Sequence, residues 1–208
     1  MLRIHQLALG PMKNFIYLLQ DTNSSTAAIV DPAWDATSII SLLKNLELDL
    51  TMVLLTHGHF DHVNALDALL DYRKVPVYMS DKEHASLRPS VVSHFVKDLE
   101  RISLGDSELL CLQTPGHTPG GLCFIADDTY LIAGDTLFID GCGRCDFANS
   151  DPQAMYASLQ RVKSLSSDLV VYPGHDYGDE PYMTLGKQLG RNPYLMVDSL
   201  DAFLKIRM

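Results

Sequence analysis

An α/β protein with two sheets packed face to face and helices on the outside is what this sequence predicts. Three observations predict it. Strand-like and helix-like runs alternate from end to end. A pattern of apolar strand, polar turn, apolar strand and closing Asp occurs at 15–31 and again at 122–135, as if an α/β unit had been duplicated. No Gly/Ser/Pro-rich linker interrupts the chain, so residues 1–208 read as one domain, with 176–208 as a short helical tail.

Taken in order, strands are expected at 15–20, 27–30, 52–55, 75–79, 109–113, 122–126, 130–133 and 169–172, with His5 in a further strand at the N-terminus. Helices are expected at 37–45, 63–71, 81–87, 92–101 and 152–165. The first carries Ile39, Ile40, Leu42, Leu43 and Leu46 at amphipathic spacing, with Asp35 or Thr37 as its cap. The last opens on Asp151-Pro152, a capping carboxylate followed by Pro at the first helical position. Asn192-Pro193 divides the tail into two short helices, 183–191 and 198–207.

Composition sets the class. Hydrophobic residues make up 47% of the 208 and charged residues 20%, which is ordinary globular composition. A net charge of −10 disfavours nucleic acid and anionic membrane as partners, since both need Lys/Arg surfaces. No secretory signal or spanning segment is visible, and Cys111, Cys123, Cys142 and Cys145 are too few to suggest a disulfide scaffold. A reducing cytoplasm is the expected setting. A homodimer is compatible with the chain.

The densest chemistry is His57-Gly58-His59-Phe60-Asp61-His62, directly after the apolar run 52–55. Imidazole and carboxylate are the usual ligands of zinc and related metals, and this spacing suits two ions better than one. Three further strand-like runs end in turns that bear a ligand type: Thr114-Pro115-Gly116-His117, Gly134-Asp135 and Pro173-Gly174-His175. Loops at strand ends are where a rigid sheet can hold functional side chains. Five of the eight histidines fall in these loops, while His5, His84 and His94 have no such context.

With Ala133-Gly134-Asp135-Thr136 and the upstream Ile29-Val30-Asp31-Pro32, these motifs resemble the metallo-β-lactamase fold superfamily, in its order, from residue 31 to 175. The resemblance implies a four-layer αβ/βα sandwich, which the duplicated unit would produce. It also implies that His57, His59 and His117 bind one divalent metal, that Asp61, His62 and His175 bind a second, and that Asp135 bridges them. Asp61 and Asp135 would be the catalytic carboxylates. Zinc is the first expectation, with iron or manganese as alternatives. Asp31 would be structural.

Gly141-Cys142-Gly143-Arg144 resembles the glyoxalase II and persulfide dioxygenase branches, while Cys145-Asp146-Phe147 sits closer to the dioxygenases. Two function classes follow. One is hydrolysis of a thioester, such as a hydroxyacyl-glutathione or related acyl-thiol, by water activated between two cations. The other is persulfide oxidation at one iron held by His57 or His59 with His117 and Asp135. Glyoxalase II carries a larger helical region after its last ligand that helps hold glutathione, and the tail here is shorter. Arg144 is expected to bind a substrate carboxylate with its planar fork, and Tyr177 to line the cleft mouth together with Tyr182, Lys187 and Arg191. Cys142 and Cys145 read as turn-forming more than redox-active.

Overall fold

The computed structural model describes residues 1–83 and 91–207. Its strands in chain order are β1 (Leu2–Leu9), β2 (Asn14–Asp21), β3 (Thr26–Val30), β4 (Asp49–Leu54), β5 (Val77–Ser80), β6 (His94–Val96), β7 (Arg101–Leu104), β8 (Ser107–Gln113), β9 (Leu122–Ala126), β10 (Tyr130–Gly134), β11 (Leu137–Phe138), β12 (Gly141–Cys142), β13 (Val170–Pro173) and β14 (Met183–Thr184). The helices are α1 (Ala36–Asn45), α2 (Phe60–Val63), α3 (Leu66–Tyr72), α4 (Pro152–Lys163), α5 (Leu185–Leu189), α6 (Pro193–Met196) and α7 (Leu200–Arg207). One sheet runs β1-β2-β3-β4-β5-β6, the other β14-β13-β10-β9-β8-β7, and β11-β12 is a separate small hairpin.

The layers follow from residue alternation. Along β2, Phe15, Tyr17 and Leu19 join Leu109, Phe124 and Ile132 of the other sheet in the inner core, while Ile16 and Leu18 pack outward with Ile39, Leu43, Leu66 and Leu69 of α1 and α3. Both faces are covered, which is why the strand reads as an unbroken apolar run. The second sheet's outer face is covered by Met155, Leu159 and Val162 of α4 and by Leu185, Leu195 and Phe203 of the tail. Helix, sheet, sheet, helix make the four-layer sandwich expected.

The duplication is real in topology. Antiparallel β2–β3 leads through α1 to β4, parallel to β3. Antiparallel β9–β10 leads through α4 to β13, parallel to β10. Asp35 caps α1, accepting from the Ser38 N–H at 3.0 Å, and Asp151 caps α4 through the Gln153 and Ala154 N–H groups.

Several elements differ from expectation. The helix expected at 92–101 is instead β6 and β7, one on the edge of each sheet. Leu99 has φ of 61°, which no helix accommodates, and β6 pairs with β5 while β7 pairs with β8. Pairing with a waiting strand outweighs weak helical spacing. Met183-Thr184, expected to open a tail helix, adds to β13 as β14. The expected 63–71 helix divides into α2 and α3. Most of the expected 81–87 helix, with His84, lies outside the described residues, and 81–83 form a turn. Among the described residues no helix is long and apolar enough to cross a membrane.

Candidate metal centre

Four strand ends deliver the cluster. Beyond β4 come His57, His59, Asp61 and His62; beyond β8, His117; beyond β10, Asp135; beyond β13, His175. Backbone bonds stitch the two sheets together here: Phe15 N–H donates to Gly174 O and Leu122 N–H to Thr56 O, both at 2.8 Å. Close approach demands glycine at two points. A Cβ on Gly174 would collide with Asp135 Oδ1, and one on Gly143 with the Asp135 carbonyl.

The outer nitrogens of four imidazoles are spoken for. His117 Nδ1 donates to Arg144 O (2.8 Å), His175 Nδ1 to Met12 O (2.9 Å) and His62 Nδ1 to Asp31 Oδ2 (3.0 Å). The Thr56 hydroxyl gives its proton to Asp31 Oδ2 at 2.6 Å, so it accepts from His57 Nδ1 at 3.0 Å. These bonds set the tautomer and leave each Nε2 lone pair pointing inward.

The inward atoms form two sets. His57 Nε2 and His117 Nε2 lie 3.1 and 3.0 Å from His59 Nδ1. His62 Nε2 and His175 Nε2 are 3.2 Å apart, and both are within 3.6 Å of Asp61 Oδ2. Asp135 stands between the sets, with Oδ1 3.4 Å from His62 Nε2 and Oδ2 3.4 Å from both His117 Nε2 and His175 Nε2.

These separations suit a cation. A tetrahedral ion with bonds of about 2.0–2.1 Å has ligand–ligand edges of roughly 3.3 Å. Inward lone pairs facing one another without a proton repel unless positive charge lies between them. Asp135 Oδ1 is buried and has no hydrogen-bond partner among the described residues. The groups able to hold a metal are His57/His59/His117 and Asp61/His62/His175. A third grouping, Asp31/His57/His62, is better read as orientation, because Asp31 already accepts from Thr56 N–H, Thr56 OH and His62.

Electrostatics agree. Burial pushes His57 well below the ordinary imidazole range, helped by His62 beside it. Burial also pulls on His62, yet Asp135, Asp31 and Asp61 carry it up to about 9. Asp135, which burial alone would raise, is held well below the usual carboxylate range by His62, His175 and His57. The centre is arranged for positive charge.

Above it opens a cleft of about 780 Å³, lined by His59, Asp61, His117, Asp135 and His175 of the centre and by Met12, Phe60, Phe138, Arg144, Phe147 and Tyr177. Arg144 reaches the rim, but its fork is already taken. Nε and an NH₂ nitrogen donate to the two oxygens of Asp146 at 2.9 and 2.7 Å, and the guanidinium lies over the Phe147 ring. Tyr177 lines the mouth as expected, stacked on His175 with ring centroids 4.6 Å apart. Tyr182, Lys187 and Arg191 do not line this cleft. Tyr182 stacks on Tyr172, and Arg191 pairs with Asp140 and Asp179. His5 bonds Gln20 and His94 pairs with Glu100, both away from the centre.

The family model of the metallo-beta-lactamase superfamily matches residues 9–175. The chain belongs to this superfamily. A probable polyketide biosynthesis zinc-dependent hydrolase of Bacillus subtilis, PksB, is 38% identical over 198 residues, spanning 93% of this chain and 87% of its own. A hydroxyacylglutathione hydrolase of Actinobacillus pleuropneumoniae is 29% identical, with 93% and 92% covered. The crystal structure of ETHE1 from Myxococcus xanthus superposes with a TM-score of 0.89 at 29% identity, covering 99% of this chain and 89% of that one. These likenesses accord with the glyoxalase II and persulfide dioxygenase branch read from Gly141–Arg144.

Sequence reasoning missed a layer of orienting residues in this superfamily member. Asn14 Nδ2 donates to Asp61 Oδ2 at 2.9 Å, and Trp34 Nε1 donates to Asn14 Oδ1 at 2.7 Å. Glu83 accepts the Gly58 N–H (3.1 Å) and the Gly120 N–H (2.8 Å), joining two ligand loops. The available signals were a lone Trp and a Glu just beyond a strand, neither distinctive. Cys142 and Cys145 are buried and free, and burial pushes the Cys142 thiol up to about 12, which suits packing more than redox chemistry.

Proposed function

We propose that the protein is a thioester hydrolase acting on small acyl-thiols, hydroxyacyl-glutathione being one member of the class. His57, His59 and His117 would hold one divalent ion, Asp61, His62 and His175 the other, and Asp135 would touch both, with zinc as the first choice. The observation that carries this reading is the pair of three-residue sets facing Asp135 from opposite sides. When bound, two such ions supply an activated water and polarise a carbonyl.

The chain's own residues do the rest. Every loop imidazole is turned inward, so no free histidine remains as general base, and a good thiolate leaving group does not require a strong acid. Asp135 would set the spacing of the two sets. Asn14 would fix the carboxylate of Asp61. Thr118, whose Oγ1 is buried without a partner among the described residues, also lines the cleft. The likeness to two relatives, named as a probable zinc-dependent hydrolase and a hydroxyacylglutathione hydrolase, supports the reading. The four free cysteines suit a reducing compartment such as the cytoplasm. The substrate is a small molecule, with no nucleic acid or membrane as partner, and a homodimer is compatible.

The second reading, persulfide oxidation at one iron on the His117/Asp135 side, is favoured by Phe147. This residue of the dioxygenase-like Asp146-Phe147 run packs its ring 5.4 Å from His59 and 5.7 Å from His117. Elemental analysis of protein purified under nitrogen, paired with thiol-release and oxygen-uptake assays, tests both. Two zinc-like ions and thiol release are expected. One iron, with oxygen consumed alongside persulfide and no thiol released, would overturn the hydrolase.

A further inference from the structure

The cleft walls bear on which thioester fits. We infer that the substrate is an uncharged thioester, with an apolar acyl chain and a neutral amide-type thiol arm, rather than a glutathione thioester; this rests on the hydrolase reading above.

The two ligand sets lie side by side, so a carbonyl carbon held between them extends one substituent over each. Both directions are walled by aromatic rings. Phe147 stands over His59 and His117, whereas Phe138 and Tyr177 stand against His175, with centroids 5.7 and 4.6 Å away. Phe60, 73% exposed, and Met12, 46% exposed, complete the lining, and Phe147 and Tyr177 are themselves 42% and 54% exposed. Large apolar side chains left open to water and clustered on a single cleft mark a surface for an apolar ligand.

Charge points the same way. A glutathione arm brings two carboxylates. The lining cations among the described residues are Lys82 and Arg144, and the Arg144 fork is closed on Asp146. The chain as a whole carries −10. One of the two carboxylates could reach Lys82, and the other would have to compete with Asp146 for Arg144. An uncharged arm does not face that competition.

The test uses metal-loaded protein and two readouts. Turnover is measured on N-acetylcysteamine thioesters from acetyl to octanoyl and on S-lactoylglutathione. Binding of two inert thioethers, S-octyl-N-acetylcysteamine and S-octylglutathione, is measured by calorimetry. The expectation is that kcat/KM rises about two- to fourfold per added methylene over the first few. The neutral thioether should bind at least about tenfold tighter than the glutathione one. One of Phe147→Ala and Tyr177→Ala, the one whose ring walls the acyl side, should flatten the chain-length slope with metal content unchanged, and a slope unaltered in both overturns the inference. A flat slope in the parent protein, or tighter binding of S-octylglutathione, overturns the inference. Binding needs no turnover, so tight neutral binding without cleavage of any thioester would count against the hydrolase reading and still support the apolar cleft.

Discussion

Asn14 donates its side-chain amide to Asp61 Oδ2 at 2.9 Å while Trp34 holds the other end of that amide at 2.7 Å. The amide cannot flip without losing the indole, so one oxygen of Asp61 stays aimed at His62 and His175. Partners of this kind typically tune metal affinity 10- to 100-fold, as an order of magnitude. Asn14→Ala is therefore expected to weaken one of two bound ions by about that factor and leave the other near its original affinity. Competition with a chromogenic chelator checks this; equal weakening of both ions would show that Asn14 acts on the whole fold.

Asp135→Ala should remove most of both ions and all measurable turnover, because its carboxylate faces both sets, Oδ1 toward His62 and Oδ2 toward His117 and His175. Metal content after dialysis, with circular dichroism to show that the variant is folded, is the measurement. Retention of two ions with turnover would exclude a shared carboxylate.

Arg144→Ala separates side chain from backbone. The side chain is neutralised by Asp146, whereas the carbonyl holds His117 Nδ1 and survives the substitution. Metal content should stay at the parent level. Any loss in kcat/KM should be less than about fivefold, the scale of an exposed ion pair, and equal for charged and neutral thioesters. A selective ten- to hundredfold rise in KM for an acidic substrate, the range of a lost charged hydrogen bond of about 1.5–3 kcal/mol, would return substrate recognition to Arg144.

Asn192, fully buried in the tail, shares the two protons of its side-chain amide among Phe138 O (3.2 Å), Gly141 O (3.0 Å) and Gln188 Oε1 (2.9 Å), and so braces the β11–β12 hairpin that carries one cleft wall. Asn192→Ala leaves buried acceptors unpaired and should cost about 1–3 kcal/mol. Urea denaturation should show a lower midpoint at unchanged slope. An unchanged midpoint would mean that water replaces the amide.

Asp21 supplies a pH signature. Burial alone would raise its carboxyl, but hydrogen bonds from Ser24, the Asp106 N–H and Ser107 bring it down to about 2. The folded chain thus binds the proton more weakly than the unfolded one. The contribution to stability is present in full above the unfolded value near 4 and is lost as pH falls from there through 2. The stability gap between the parent and Asp21→Asn should narrow across that interval and stay constant from pH 5 to 7. A gap that widens as pH falls would reverse the sign.

Much of the fold was legible because its signals are local. Unbroken apolar runs marked strands covered on both faces, Asp151-Pro152 marked the start of α4, and two hairpins ending in Asp marked the repeat. The candidate ligands were legible for the same reason, since each sits in a turn beside the strand that positions it. What tertiary structure decided is how distant segments meet. Asn14 and Asp61 are 47 residues apart and Glu83 accepts from Gly58 and Gly120, pairings that leave no trace in either neighbourhood. The segment 92–101 became two edge strands because β5 and β8 each offered an unpaired edge, and an edge is a property of the assembled sheet. Arg144 looked like a free fork by residue type; only the folded turn, which lays it over Phe147 and against Asp146, shows where its charge goes. Residue type and period decide which groups and elements the chain offers, while hydrogen-bond and charge partners are chosen by proximity in the packed protein, where every buried polar group must find one.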